Sequence, residues 1–189
     1  VRDMSHKLKR EVELEVIGQE TEVDKNIIEH LSDPLMHLIR NAIDHGIESV
    51  EERISKGKPK AGKITLEAKN AGGEVWIIVK DDGKGLSREK IFRKAQQNGL
   101  VTKAESELTD KEVFAFIMKA GFSTKENVTE FSGRGVGLDV VTKNIEKVGG
   151  VVQIDSQLGC GSTIALKIPL TLAIIAGMTI KVGDSRYTI

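Results

Sequence analysis

Residues 37–45 hold the polar side chains of this chain that are best suited to chemistry. On an α-helix with 3.6 residues per turn, four polar residues fall on one face: His37, Asn41, Asp44 and Glu48. Asn41 is a poor helix former, and its amide oxygen is a ligand that Mg²⁺ accepts beside phosphate oxygens. These residues alone fit either a magnesium–phosphate site or an ordinary polar face that happens to contain two histidines.

A first glycine motif, Asp81-Asp82-Gly83-Lys84-Gly85, directly follows an apolar run at 74–80. A carboxylate at a buried strand end needs a hydrogen-bond partner, which a ligand amine would supply. The two glycines allow backbone to approach a flat ring closely. A plain turn is the alternative, since Asp-Gly is common in turns. A calcium loop is excluded because its twelfth position, counted from Asp81, is Phe92 instead of Glu.

A second glycine motif combines Gly133, Gly135 and Gly137 before a predicted helix over 136–148. The free N–H groups and positive dipole end of such a helix favour phosphate binding. The G-x-G-x-G spacing after a polar loop does not match a Rossmann fingerprint, and no Gly-Lys-Ser or Gly-Lys-Thr follows as in a Walker loop. A flexible glycine hinge is an equally good interpretation of this motif alone.

Composition excludes several classes of protein. The 189 residues contain 28 basic and 28 acidic side chains, so no strong electrostatic footprint for nucleic acid or an anionic membrane is present. A single cysteine excludes an internal disulfide and fits a reducing compartment. The longest apolar run, 170–178, is far shorter than the roughly 20 residues of a membrane helix. The charged start resembles no signal peptide, and we interpret the chain as a piece of a longer protein.

Hydrophobic patterning predicts strands that pair as hairpins. Val12, Leu14 and Val16 alternate with glutamates, which indicates a half-exposed strand. The segments 63–69 and 74–80 form one predicted antiparallel hairpin, and 151–156 and 163–168 form another. After Pro169 the apolar pattern changes, which suggests the start of another domain.

Capping residues predict the helices. Asp24 begins a short helix that ends near Leu31, and Ser32-Asp33-Pro34 predicts a restart that continues to about Val50. Further helices are predicted after Ser87, after the Thr109–Glu112 capping box, and over 136–148. The polar, aperiodic segment from Phe122 to Gly133 is predicted to be a mobile loop. Hairpins separated by helices indicate an α+β fold with a mostly antiparallel sheet covered by helices on one face.

The order of these motifs resembles the GHKL superfamily of ATPases and kinases. Asn41 resembles its asparagine box, and Gly161-Ser162-Thr163 resembles its final box, in which the threonine reaches the adenine-binding aspartate through water. The first and second glycine boxes are matched by the two motifs above. The resemblance implies a two-layer α/β sandwich (the Bergerat fold) with a mixed, mostly antiparallel sheet.

A narrower resemblance, to the catalytic domain of chemotaxis histidine kinases, covers nearly the whole chain. The segments that carry it are 31–34, 37–48, 122–125 and 133–141. It implies that residues 1–10 end the dimerisation helices, 11–169 form the ATP-binding catalytic domain, and 170–189 begin a receptor-coupling regulatory domain.

The resemblance implies ATP and Mg²⁺ as ligands and assigns roles to residues. Asn41 would hold the magnesium ion, and His37, Lys125 and Arg134 would be the catalytic residues. The implied nucleotide-binding set comprises Asn41, Asp44, His45, Asp81, Gly83, Gly85, Lys90, Ser123, Thr124, Gly133, Gly135, Val136, Gly137, Leu138 and Thr163. The segment from Phe122 to Arg134 would close over ATP as a lid.

His37 favours phosphoryl transfer over hydrolysis. GHKL members that hydrolyse ATP generally carry a water-activating glutamate where this chain has His37. We therefore expect a protein-histidine kinase, and the alternative is a non-kinase ATP-gated clamp or ATPase. The implied partners are the phosphotransfer domain of the same kinase, an adaptor and chemoreceptors reached through neighbouring domains, and a second copy joined through the dimerisation domain. Nucleic acid binding and membrane insertion are not expected, and the implied location is cytoplasmic, at membrane chemoreceptor arrays.

Overall fold

A computed structural model describes residues 10–122, 137–170, 179–182 and 185–188. The strands are β1 Val12–Ile17, β2 Gly62–Ala71, β3 Glu74–Asp81, β4 Val151–Gln157, β5 Gly161–Pro169, β6 Thr179–Val182 and β7 Ser185–Thr188. The α-helices are α1 Lys25–Asn41, α2 Val50–Ser55, α3 Arg88–Gln97, α4 Asp110–Ala115 and α5 Leu138–Lys147. A π-helical turn, Ala42–Gly46, follows α1, and short 3-10 turns lie at Glu105–Glu107 and Phe116–Met118.

Five strands form one mixed sheet in the order β1-β2-β3-β5-β4. The β2–β3 and β4–β5 hairpins are antiparallel, as predicted, and β3 joins them by pairing antiparallel with β5. β1 pairs parallel with β2, with Val12 opposite Gly62. A separate two-stranded sheet is formed by β6 and β7. Within the described residues, no helix is both long and apolar enough to cross a membrane.

Helices α1 and α5 cover one face of the sheet. The main core combines apolar residues of these helices with the inward positions of the strands: Leu31, Leu38, Ile39, Ala42, Ile43, Ile64, Val75, Ile77, Val79, Val141, Ile145, Leu166 and Ile168. Each strand contributes alternate residues, because successive side chains point to opposite faces. This arrangement confirms the predicted α+β sandwich with a mostly antiparallel sheet.

A second apolar cluster joins α3 and α4 to the β4 side of the sheet. Its buried members are Ile91, Phe92, Ala95, Val113, Phe114, Ile117, Phe122 and Ile154. The predicted caps are confirmed here, since the Ser87 hydroxyl accepts from Lys90 N and the Thr109–Glu112 capping box is formed. The cluster buries Phe122, the residue at which the predicted lid begins.

Helix α1 runs through the site of the predicted restart. The prediction of a break at Ser32-Asp33-Pro34 is wrong, because Lys25–Asn41 is one helix with Pro34 inside it. A proline in a helix interior removes one hydrogen bond at a cost of about 3 kcal/mol. Pro34 is buried, and the neighbouring Leu31 and Leu38 belong to the core. Tertiary packing therefore holds the helix together where local propensity favours a break.

The end of α1 also differs from the prediction of a helix that reaches Val50. The π-helical turn closes with Ile47 N donating to Ala42 O at 2.8 Å, and a separate helix, α2, begins after a Ser49–Glu52 capping box. The helical turn ends at Gly46 and Ile47 has extended backbone, so Glu48 lies in the connection to α2 and does not share a helix face with His37 as predicted. π-helical turns occur frequently at functional sites.

Candidate functional site

Asp81 ends β3 as a buried carboxylate with 7% of its surface exposed. Its Oδ1 accepts a hydrogen bond from Gly83 N at 2.9 Å. Burial raises the pKa of the Asp81 carboxyl above its usual value, while the backbone N–H groups of Gly83 and Ser162 act in the opposite direction. A carboxylate held in this way is a strong acceptor that lacks full compensation for lost hydration, so a ligand amine would stabilise it.

Glycines pack the backbone closely around Asp81. A Cβ atom on Gly46 would lie 3.1 Å from Asp81 Oδ1, and one on Gly83 would overlap the carbonyl oxygen of Gly46. Gly85 has a φ of +68°, and a Cβ there would overlap the Gln157 carbonyl. The first-motif glycines therefore permit backbone-to-backbone contact, whereas the sequence suggested close approach to a ring. Gly46 was not identified from the sequence, because its contact with Asp81 joins residues that are distant along the chain and forms only in the folded structure.

The β3–β5 register determines which hydroxyl accompanies Asp81. Asp81 pairs with Ser162, whereas Thr163 pairs with Lys80. Because directly paired residues share a face of the sheet, Ser162 lies on the helix-covered face with Asp81, and Thr163 lies on the opposite face. The structure thus differs from the expectation for Thr163, and Ser162 is the residue of the final box that can act beside Asp81.

Ser162 belongs to a hydrogen-bonded row that extends to β4. Its Oγ lies 3.0 Å from Ser156 Oγ, which also accepts from Leu86 N at 2.9 Å. Ser156 donates its single hydroxyl hydrogen to Gly161 O at 2.8 Å. Ser162 must then donate to Ser156, and its own lone pairs stay available as acceptors. A water molecule between Ser162 and a purine ring would fit this arrangement.

The C-terminal end of α1 places Asn41 and His37 one turn apart, and both side chains are half-buried. Burial lowers the pKa of His37 below its usual value of 6.5, and the nearby positive charges of Arg40 and His45 lower it further, whereas Asp139 opposes the shift. His37 is therefore a neutral imidazole at pH 7, able to accept a hydrogen bond or a proton.

Asp44 and His45 lie in the π-helical turn next to Asn41. His45 Nε2 is 3.2 Å from Asp44 Oδ2, and both side chains are more than one-third exposed. Lys90 is exposed in the first turn of α3. A role of any of these three residues in nucleotide binding stays a prediction.

The N-terminus of α5 begins at the end of the second glycine motif. Gly137 is the N-cap of this helix and has extended backbone, and Leu138 is its first residue. Free N–H groups of the first turn are available to an anion there. The remaining predicted phosphate-binding residues lie outside the described residues: Ser123, Thr124, Lys125, Gly133, Arg134, Gly135 and Val136. The lid prediction for 122–134 falls there as well, apart from Phe122.

Comparisons of the sequence identify relatives. The protein-family model described as histidine kinase-, DNA gyrase B- and HSP90-like ATPase matches residues 30–172. The whole chain is 46% identical to a segment of chemotaxis protein CheA of Bacillus subtilis, and 99% of it is 50% identical to CheA of Salmonella typhimurium. The chain spans 28% of the length of each of these two relatives.

Comparison with solved structures identifies the fold. The catalytic domain of histidine kinase ThkA matches 90% of this chain and 85% of its own length, with a TM-score of 0.53 and 20% identity. The histidine kinase domain of a blue-light activated kinase from Erythrobacter litoralis matches 89% of this chain and 60% of its own length, with a TM-score of 0.53 and 14% identity. At these identities, the two structures support the sandwich fold alone.

Proposed function

Because the chain belongs to the family of histidine kinase-, DNA gyrase B- and HSP90-like ATPases, we propose that it is the catalytic part of a chemotaxis protein-histidine kinase. It binds Mg-ATP and transfers the γ-phosphate to a histidine on a separate phosphotransfer domain. The observation that carries the nucleotide part of this proposal is the buried Asp81 carboxylate at the end of β3. The similarity to CheA along the whole chain supports the kinase part.

Adenine recognition is assigned to Asp81 and Ser162. Asp81 accepts a hydrogen bond from the exocyclic amine, which compensates the charge that burial destabilises. Ser162 offers an acceptor to a water that bridges to the ring, in place of the predicted Thr163. This pair predicts a preference for a nucleoside with an amine over one with a carbonyl oxygen at the same position. The carbonyl oxygen and the Asp81 carboxylate are both acceptors and repel each other.

Asn41 is the residue that would hold magnesium. Within the described residues, no group of three His, Cys, Asp or Glu side chains could bind a metal ion. A site with one neutral amide oxygen fits Mg²⁺, which commonly keeps several waters and is completed by substrate phosphates. The ion would neutralise phosphate charge as transfer proceeds.

Phosphate contacts are assigned to the second glycine motif and two cations. The α5 N-terminus, with Gly137 and Leu138, donates backbone N–H groups, and Lys125 and Arg134 balance γ-phosphate charge. Positioning and charge stabilisation supply most of the catalysis in phosphoryl transfer. The neutral His37 imidazole contributes an acceptor close to Asn41.

Partners and location follow from the proposed kinase role. The acceptor is the phosphotransfer domain of the same kinase, and residues 1–10 and 170–189 lead toward a dimerisation domain and a receptor-coupling domain. Through these domains, the catalytic part works as a homodimer in cytoplasmic arrays with an adaptor and chemoreceptors.

A transfer assay tests the proposal. We expect γ-labelled ATP with this chain to label a separately supplied phosphotransfer domain on its histidine, while the chain itself stays unlabelled. We also expect hydrolysis without the acceptor to be far slower than the roughly 10 turnovers per second of a typical enzyme. Steady hydrolysis near that rate, with no labelled acceptor, would instead favour the ATPase alternative.

Two neighbouring hydroxyls provide a matched prediction. Ser162→Ala should weaken ADP binding by about 1 kcal/mol, because it removes an acceptor for the bridging water. Thr163→Val removes the hydroxyl of the next residue, which lies on the other face of the sheet. The ADP affinity of this variant should therefore stay within about twofold of the wild-type value. Isothermal titration of both variants measures this difference. Equal losses in the two variants would contradict the assignment of Ser162.

A further inference from the structure

Next to the loop that follows Asp81 lies a cluster of four charged side chains: Glu48, Arg53, Lys58 and Asp82. Arg53 is fully buried, and its guanidinium bonds Glu48 Oε2 at 3.3 Å and Asp82 Oδ2 at 2.8 Å. Its remaining donors reach Asp82 Oδ1 and the carbonyl oxygens of Pro59 and Ala61. Lys58 completes the cluster, with Nζ 3.0 Å from Glu48 Oε1.

Burial makes this cluster costly, and its internal pairing offsets that cost. Burial alone would raise the pKa of Glu48, but the hydrogen bond from Lys58 and the charges of Lys58 and Lys56 hold it below its usual value. Ion pairs of this kind contribute little net stability compared with apolar packing, so they are weak evidence of a purely stabilising role. A cluster at this position calls for an additional explanation.

The peptide between Asp82 and Gly83 connects the cluster to Asp81. The Asp82 carbonyl oxygen accepts from Lys58 Nζ at 2.8 Å and lies 3.4 Å from Arg53 Nη1. The N–H of the same peptide, on Gly83, donates to Asp81 Oδ1 at 2.9 Å. In a trans peptide the carbonyl and the N–H point in opposite directions. The two cations on one side therefore aim the N–H at the Asp81 carboxylate on the other side.

Glycine makes this orientation dependent on outside contacts. Gly83 has no Cβ to restrict the rotation of the preceding peptide, so its own backbone does not select one orientation. Lys58 also binds Gly83 O at 2.7 Å, and Lys84 N donates to Gly46 O at 2.9 Å. These contacts fix the loop from both ends. The Gly83 N–H holds Oδ1 of Asp81 at 2.9 Å, so the direction of this N–H affects how the carboxylate is oriented.

We propose that Lys58 and Arg53 are positioning residues that set the preference for adenine by orienting the 82–83 peptide and, through it, the Asp81 carboxylate. The inference rests on the proposed assignment of Asp81 to the adenine amine. A merely structural role of Lys58 and Arg53 would affect all nucleotides alike. The proposed role acts on the contact between the Gly83 N–H and Asp81 Oδ1 and therefore affects adenine recognition alone. If the peptide rotates, the carboxylate loses its fixed direction and the contact with the amine weakens, whereas the phosphate contacts are unaffected.

Nucleotide selectivity in Lys58→Met tests this inference. Titrations of ADP and inosine diphosphate, which carries an oxygen in place of the amine, give the preference for adenine as a ratio of Kd values. We expect Lys58→Met to weaken ADP binding by about tenfold, the effect of a charged hydrogen bond, and inosine diphosphate binding by less than about threefold. Lys60→Met, an exposed lysine of the same loop, is the control and should change neither value.

The outcomes separate this inference from the proposed function. If the ratio of the two Kd values is unchanged in Lys58→Met, including the case in which binding of both nucleotides weakens equally, the positioning role is overturned while Asp81 keeps its assignment. A wild-type chain without any preference for ADP overturns the assignment of Asp81 and this inference together. Lys58→Arg keeps the charge and the donors and should retain most of the ratio. If Lys58→Met fails to fold by circular dichroism, the same ratio measured in Lys58→Gln decides the question by the same criteria.

Discussion

Asn41→Ala is expected to abolish phosphoryl transfer while metal-free ADP binding stays nearly unchanged. The amide oxygen is the metal ligand that the proposed site contributes, and loss of the ion removes several kcal/mol of charge stabilisation in transfer. The rate of acceptor labelling should therefore fall by about 100-fold or more. The measurement is transfer from labelled ATP, together with ADP titrations in magnesium and in chelator.

The control for Asn41 is another asparagine at a helix end. Asn98 is exposed at the C-cap of α3, and Asn98→Ala should leave both transfer and binding at wild-type values. If Asn41→Ala weakens ADP binding equally with and without magnesium, Asn41 has a structural role and the metal assignment is wrong.

Asp81→Asn is expected to weaken nucleotide binding and to stabilise the free protein. The carboxamide can turn a donor toward the adenine amine, which should cost about 1–3 kcal/mol, or about 5- to 150-fold in Kd. The Gly83 N–H can still donate to the Asn side-chain oxygen, so the loop should keep its conformation. Titration with ADP measures the loss of binding.

The stability change follows from the direction of the Asp81 pKa shift. The pKa is raised in the folded state, so the folded chain holds the proton more tightly than the unfolded chain, and stability falls as pH rises through the window above 3.8. At neutral pH the raised pKa of Asp81 therefore lowers the stability of the fold, and Asp81→Asn should melt at a higher temperature than the wild type. Asp155→Asn, an exposed carboxylate on β4, is the control and should change neither melting nor binding. A lower melting temperature for Asp81→Asn would contradict this explanation.

The helices and hairpins with strong local signals could be predicted from the sequence. The Ser87 cap and the Thr109–Glu112 box are formed, because a cap satisfies N–H groups only two or three residues away. The β2–β3 hairpin follows from two apolar segments and a short glycine-containing connection. At Pro34, the same local reasoning predicted a break that packing of α1 against the sheet overrides.

The candidate site could be predicted in part. Asp81 and its glycines are recognisable because they directly follow an apolar strand. The choice between Ser162 and Thr163 depends on the register between β3 and β5, where a shift of one residue exchanges the two faces of the sheet. The neutral state of His37 also depends on its burial and on Arg40, His45 and Asp139.

The sequence by itself determined the chemical groups and the elements that carry them, since periodicity, caps and turn residues act over a few positions. Tertiary structure alone decided the parallel pairing of β1, the π-helical turn after Asn41 and the charged cluster behind Asp81. The cluster joins Arg53 to Asp82, 29 positions further along the chain. Its energy comes from burial and pairing of charges, which exist only after distant segments have packed together.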